Sequence, residues 1–145
     1  MHRRTLLTTL FYLSATSFAR AAKVFTGIIN GVALGGNDAV SYFSNGGPLS
    51  GDPSIIAPYD GATYRFDTMA NRDTFQKNPE KYAPQYGGFC AYAAAKGALA
   101  PGDPKAWTVV NKKLYINLSP AIRQTWAKDI PGNIAKADAN WPTLQ

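Results

Sequence analysis

The sequence predicts a small α+β domain, an antiparallel sheet built from two β-hairpins and covered by several short helices. Three observations predict it. Strand-forming runs flank the two-residue turns Asp60-Gly61 and Asn111-Lys112. Each run is followed by a hydroxyl residue suited to start a helix, Thr68 and Ser119. Prolines at 79, 120 and 131 occupy helix-opening positions, where a missing backbone N–H costs nothing.

The elements follow in order. Residues 31–36 are glycine-rich and loop-like, and Asp38 is placed to cap a single helical turn through Tyr42 and Phe43. Asn45-Gly46-Gly47-Pro48 and Gly51-Asp52-Pro53 are turn signals for a surface loop. The first hairpin pairs 55–59 with 62–66, and Pro58 puts its first strand at an edge. Thr68 caps a helix over 69–77 with Phe75 inward, and Asn78-Pro79 opens a shorter one. Residues 89–96, rich in alanine and tyrosine, read as a buried helix ended by Gly97. The second hairpin pairs 107–110 with 114–118. Ser119-Pro120 opens a helix over 121–128 with Trp126 on its apolar side, and Pro131 begins a last helix to about 141. No internal repeat and no low-complexity linker is read along the chain.

The N-terminus reads as an export signal. Arg3-Arg4 precede an apolar run over 6–19, and Ala19-Arg20-Ala21 supplies small residues before a cut. The run is too short and too rich in threonine and serine to span a bilayer. The arginine pair resembles a twin-arginine signal, with an ordinary secretory signal as the alternative. Cleavage near Ala21 leaves a single domain over 22–145 in a bacterial periplasm or beyond. It removes three basic residues and no acidic one, so the net charge of +6 falls to +3. The remaining lysines and arginines are scattered rather than striped, which argues against nucleic acid as a partner. The one histidine is His2 and the one cysteine is Cys90. The mature chain therefore has no histidine triad, histidine metal site, Cys-x-x-Cys centre or internal disulfide. No pair of carboxylates sits at a spacing that identifies a general acid and base.

Residues 38–82 resemble the YHS domain, a short module of metal-handling proteins. The resemblance rests on Asp38-Ala39-Val40, on Tyr59 through Phe66 (YDGATYRF), on Phe75 and on Asn78-Pro79-Glu80-Lys81-Tyr82. The extension over 83–145, with Tyr86-Gly87-Gly88-Phe89-Cys90-Ala91 and Pro101-Gly102-Asp103-Pro104, looks like exported members of that family. The resemblance implies metal ligands at three positions where other members carry cysteine. Here those positions hold Ser41, Asp67 and Asn71.

Two readings of these residues stay open. Asp67 and Asn71 either offer oxygen to a hard cation or satisfy the start of their helix by hydrogen bonds. Cys90 is either a buried small apolar residue or a functional thiol, a metal ligand with Met69 for copper or zinc, or a redox group. Tyr42, Tyr59, Tyr64, Tyr86, Tyr92, Trp107 and Trp126 either fill the core or line a pocket. Taken together, the resemblance implies an exported binding or accessory protein linked to copper or zinc homeostasis. Its partner would be a periplasmic or membrane protein. The alternatives are an interaction scaffold and a thiol-based redox component using Cys90.

Overall fold

Two hairpins organise the chain in a computed structural model that describes residues 24–44 and 46–145. The expected export signal over 1–21 lies outside the described residues. Strand β1 (Asp52–Tyr59) pairs antiparallel with β2 (Ala62–Phe66), and β3 (Asp103–Val110) pairs with β4 (Lys113–Asn117). Five α-helices complete the described chain: α1 (Met69–Lys77), α2 (Pro79–Tyr82), α3 (Ala91–Ala95), α4 (Pro120–Ala127) and α5 (Ile130–Leu144). Three 3-10 turns cover Ala33–Gly36, Val40–Phe43 and Gln85–Gly88. The α+β class is therefore as the sequence predicts.

The hairpins turn where expected, and for the expected reason. Asp60 and Gly61 have φ of 49° and 80°, and Asn111 and Lys112 have 50° and 61°. Left-handed backbone at both turn positions matches the right-handed twist of the flanking strands. The helix starts also follow the side chains. Thr68 Oγ1 accepts from Asn71 N at 3.1 Å, and Ser119 Oγ accepts from Ile122 N at 3.2 Å. Phe75 and Trp126, on the inner faces of α1 and α4, are both fully buried.

One expectation is overturned: the chain does contain an internal repeat. Asp52 pairs with Phe66 and Ile56 with Arg65; 51 residues later Asp103 pairs with Asn117 and Trp107 with Ile116. The same bulge interrupts both ladders at the same place. Gly51-Asp52-Pro53 recurs as Gly102-Asp103-Pro104, and each aspartate accepts from the backbone N–H two residues on. Upstream the period is 52. Leu34 (φ 54°, ψ 27°) recurs as Tyr86 (φ 54°, ψ 34°), each ahead of a glycine. Asp38 N donates to Leu49 O at 2.8 Å, and Cys90 N donates to Ala100 O at 3.0 Å. The two halves diverge at their ends, where the four-residue α2 corresponds to the start of the fifteen-residue α5.

The hairpins also do not merge into one sheet; each forms its own two-stranded sheet. The outer edge of β2 is taken by the preceding loop, with Thr63 N donating to Gly31 O at 2.9 Å and Val32 bridging Thr63. With that edge covered, the halves meet through side chains instead. Tyr64, Phe66 and Phe75 stack in the first half, joined by Leu114 and Ile116 from the second. Trp126, Tyr115 and Tyr86 form the other cluster against α3 and α5. Helix α3 is also shorter than predicted, because Phe89 is extended and Cys90, at ψ 119°, is the non-helical residue that leads into it.

Candidate functional site

The three positions where the resemblance implies metal ligands do converge, but on a carboxylate. Asp38 is fully buried. Its Oδ1 accepts from Val40 N at 2.9 Å and Ser41 N at 3.3 Å. Its Oδ2 accepts from Asp67 N at 2.9 Å and Asn71 Nδ2 at 2.8 Å. Ser41 Oγ is used twice, donating to Asp38 O at 2.6 Å and accepting from Leu49 N at 2.9 Å. Four donors occupy the two oxygens of this buried side chain and satisfy its hydrogen bonding. Asp67 contributes its backbone to this cluster, and its side chain is on the exposed side. Neither the Asp67 nor the Asn71 side chain satisfies the start of the helix, which Thr68 caps; Asn71 instead ties α1 to Asp38.

Cys90 is 1% exposed, and its thiol faces Asn117 Oδ1 at 3.6 Å. The same oxygen accepts from Tyr92 N at 3.0 Å, and Asn117 Nδ2 is buried without a hydrogen-bond partner. Met69 lies in the other half, 59% exposed on the first turn of α1. The two soft side chains are thus not brought together. Among the described residues, no group of three or more His, Cys, Asp or Glu is gathered as a metal would need. The residues present do not fit copper or zinc, in either half. Burial also withholds the thiol from reagents. Alkylation of Cys90 in the native protein is expected to run at least about a hundredfold slower than in denaturant, limited by local opening. Equal rates in a mass-spectrometric labelling course would instead mark a reactive thiol.

The concave surface lies elsewhere, in a cleft of about 600 Å³ between the first hairpin, the 83–87 segment and the end of α5. That volume is in the range of small-molecule sites. Four aromatic residues line it, Tyr59, Tyr64, Tyr86 and Trp141. They form two pairs, Tyr59 with Tyr64 at 6.2 Å between ring centres and Tyr86 with Trp141 at 5.8 Å. Three carboxylates line it too, from Asp60, Glu80 and Asp138, against one cation, Lys113. Tyr86 donates its hydroxyl to Asp138 Oδ1 at 2.9 Å. Tyr64 is 1% exposed and opens onto the cleft, and its hydroxyl has no hydrogen-bond partner among the described residues.

Burial and these carboxylates hold the cleft hydroxyls in their neutral form. Burial first, then Glu80 and Asp60, pushes Tyr59 above the ordinary tyrosine value. Tyr64 is pushed up by burial, then by Tyr59 and Asp60, and Tyr86 by burial and then Asp138. Tyr42, whose hydroxyl donates to Pro104 O at 2.9 Å, is raised by burial as well. A tyrosine that ionises harder in the folded state contributes stability that is complete below the unfolded value. That contribution is lost as pH rises towards the folded value. Stability is therefore expected to fall above about pH 10. Urea midpoints from neutral to alkaline pH, followed beside tyrosinate absorbance, check it; a flat midpoint would mean these hydroxyls titrate freely.

Of the seven aromatics weighed as core or pocket, Tyr59, Tyr64 and Tyr86 line the cleft, and Tyr42, Tyr92, Trp107 and Trp126 do not. Tyr42 and Trp126 are core. Sequence reading missed Trp141, Asp60, Glu80 and Asp138. The usable signal was Asp138 and Trp141, spaced i, i+3 on one face of α5. Among the described residues no helix is long and apolar enough to cross a membrane. No family model, no curated protein and no solved structure matches the chain.

Proposed function

We infer that this chain is an exported binding or accessory protein on a YHS-like scaffold, and that it holds a small organic ligand in the aromatic cleft rather than a metal. The observation that carries this reading is a cleft of ligand size with the Tyr64 hydroxyl, unshared with any described residue, at its wall. The saturated Asp38 cluster and the buried Cys90 support the same reading, because they leave the metal and thiol alternatives without an accessible reactive group.

The test is ligand-observed and protein-observed NMR on the purified protein. A mixed set of neutral, cationic and anionic fragments is used. At least one fragment is expected to shift the Trp141 indole and Tyr64 resonances together. If every fragment leaves both unmoved, or shifts only residues outside the cleft, the binding reading fails.

A further inference from the structure

Resting on that reading, we propose that the cleft selects a small organic cation, an alkylammonium or guanidinium compound with a short apolar body. The charge distribution points there first. The chain carries 15 basic and 9 acidic side chains, yet the cleft gathers three of the acids and one of the bases. A site with the opposite sign to its surroundings attracts cations and repels anions.

The walls agree with the charge. Tyr59 on one side and Trp141 on the other are the partly exposed rings, backed by the buried Tyr64 and Tyr86, and an ammonium is held by the negative face of such a π-system. The Tyr64 hydroxyl, at the cleft wall and unshared with any described residue, supplies a lone pair for an N–H of the ligand. Tyr86 already gives its proton to Asp138, which leaves that hydroxyl oxygen free to accept as well. Carboxylates, ring faces and hydroxyl oxygens are all acceptors of positive charge. Lys113 and the unshared Tyr64 O–H proton are the groups that would favour an anion, against the three carboxylates.

The experiment compares three probes of one chain length, butylammonium, butanol and butyrate, titrated into the purified protein with the Trp141 indole and Tyr64 signals as readout. Butylammonium is expected to bind at least about tenfold more tightly than either other probe. Its affinity should fall as salt rises, since an open cleft is screened. Glu80 is exposed and makes no side-chain hydrogen bond among the described residues, so Glu80→Gln preserves the fold. That variant should weaken butylammonium about threefold and leave butanol unchanged. Tyr64→Phe, which removes a hydroxyl with no protein partner, should weaken butylammonium without lowering the melting temperature.

Butanol or butyrate binding as tightly as butylammonium, or indifference to Glu80→Gln and salt, overturns the cation proposal while the cleft remains a binding site. The same holds if none of the three probes moves the cleft signals but another fragment does. Silence of those signals towards every compound removes both the proposal and the reading beneath it.

Discussion

Asp38→Ala is expected to lower the free energy of unfolding by about 3–5 kcal/mol, a large share of a domain's total stability. The substitution deletes the side-chain acceptor of three backbone N–H groups and one amide, of which Ser41 N keeps a second acceptor, the Asp38 carbonyl at 3.1 Å. Those donors join the 3-10 turn at Val40–Phe43, the end of β2 and the first turn of α1. Losing the carboxylate therefore disconnects three elements at once. Asp38→Asn keeps one oxygen and places an amide against donors that want an acceptor, so its loss should be smaller, about 2 kcal/mol. Urea unfolding with an unchanged denaturant slope is the measurement. A loss below about 1 kcal/mol for Asp38→Ala would mean that water replaces the carboxylate, and the cluster would not be the structural centre described above.

Gly102→Ala is the second large effect. A Cβ at residue 102 would overlap the carbonyl oxygen of Gly88 and lie 2.8 Å from Ile116 Cγ2. The first obstacle is backbone, which cannot rotate away as a side chain can. Gly88 is moreover held at φ 81° in the turn before Cys90. Separating the two segments disturbs the entry to α3 and β4 together, and a loss of at least about 3 kcal/mol, or no folded protein, is expected. Gly47→Ala is the comparison, since among the described residues nothing lies within 4 Å of the added methyl and its φ is not positive. It should stay within about 0.5 kcal/mol of the parent. Equal thermal midpoints for the two variants would show that Gly102 and Gly88 separate without cost to the fold.

Local chemistry was legible in the sequence and assembly was not. Thr68 and Ser119 cap helices because a hydroxyl before an amphipathic stretch satisfies free N–H groups whatever the rest of the fold does. Asp60-Gly61 and Asn111-Lys112 turn for an equally local reason, though Lys112 at φ 61° shows that the hairpin imposes the conformation on a residue that does not favour it. The repeat was missed because its matching residues are sparse. The Gly-Asp-Pro corners, Tyr64 with Tyr115 and Arg72 with Arg123 fall at one period, and the turns at Leu34 and Tyr86 fall one residue out of step. The cleft was hidden for another reason. Asp60, Glu80, Lys113 and Asp138 come from separate elements, and no sequence window contains them together. The separation of the hairpins into two sheets likewise depends on Gly31 reaching Thr63, a contact across half of the first unit.

The repeat makes each half a reference for reading the other. Asn78 and Asp129 open their helices with nearly the same backbone, φ −153° and ψ 73° against φ −148° and ψ 72°, so the correspondence holds to that point. What both halves keep is skeleton: the Gly-Asp-Pro corner, the hydroxyl cap, the tyrosine at 64 and 115, the buried aromatic at 75 and 126. The left-handed Tyr86 belongs in that group, because Leu34 adopts the same strained conformation with no cleft to serve. What only one half keeps is where the units have parted. Asp38 gives way to Cys90, Tyr59 to Val110, Asp60 to Asn111 and Glu80 to Pro131. Two cleft carboxylates and one cleft ring are private to the first unit. Asp60 also turns its hairpin and Tyr59 also packs on Phe75, so of the three Glu80, exposed and without a hydrogen bond among the described residues, is the one the scaffold would stand without.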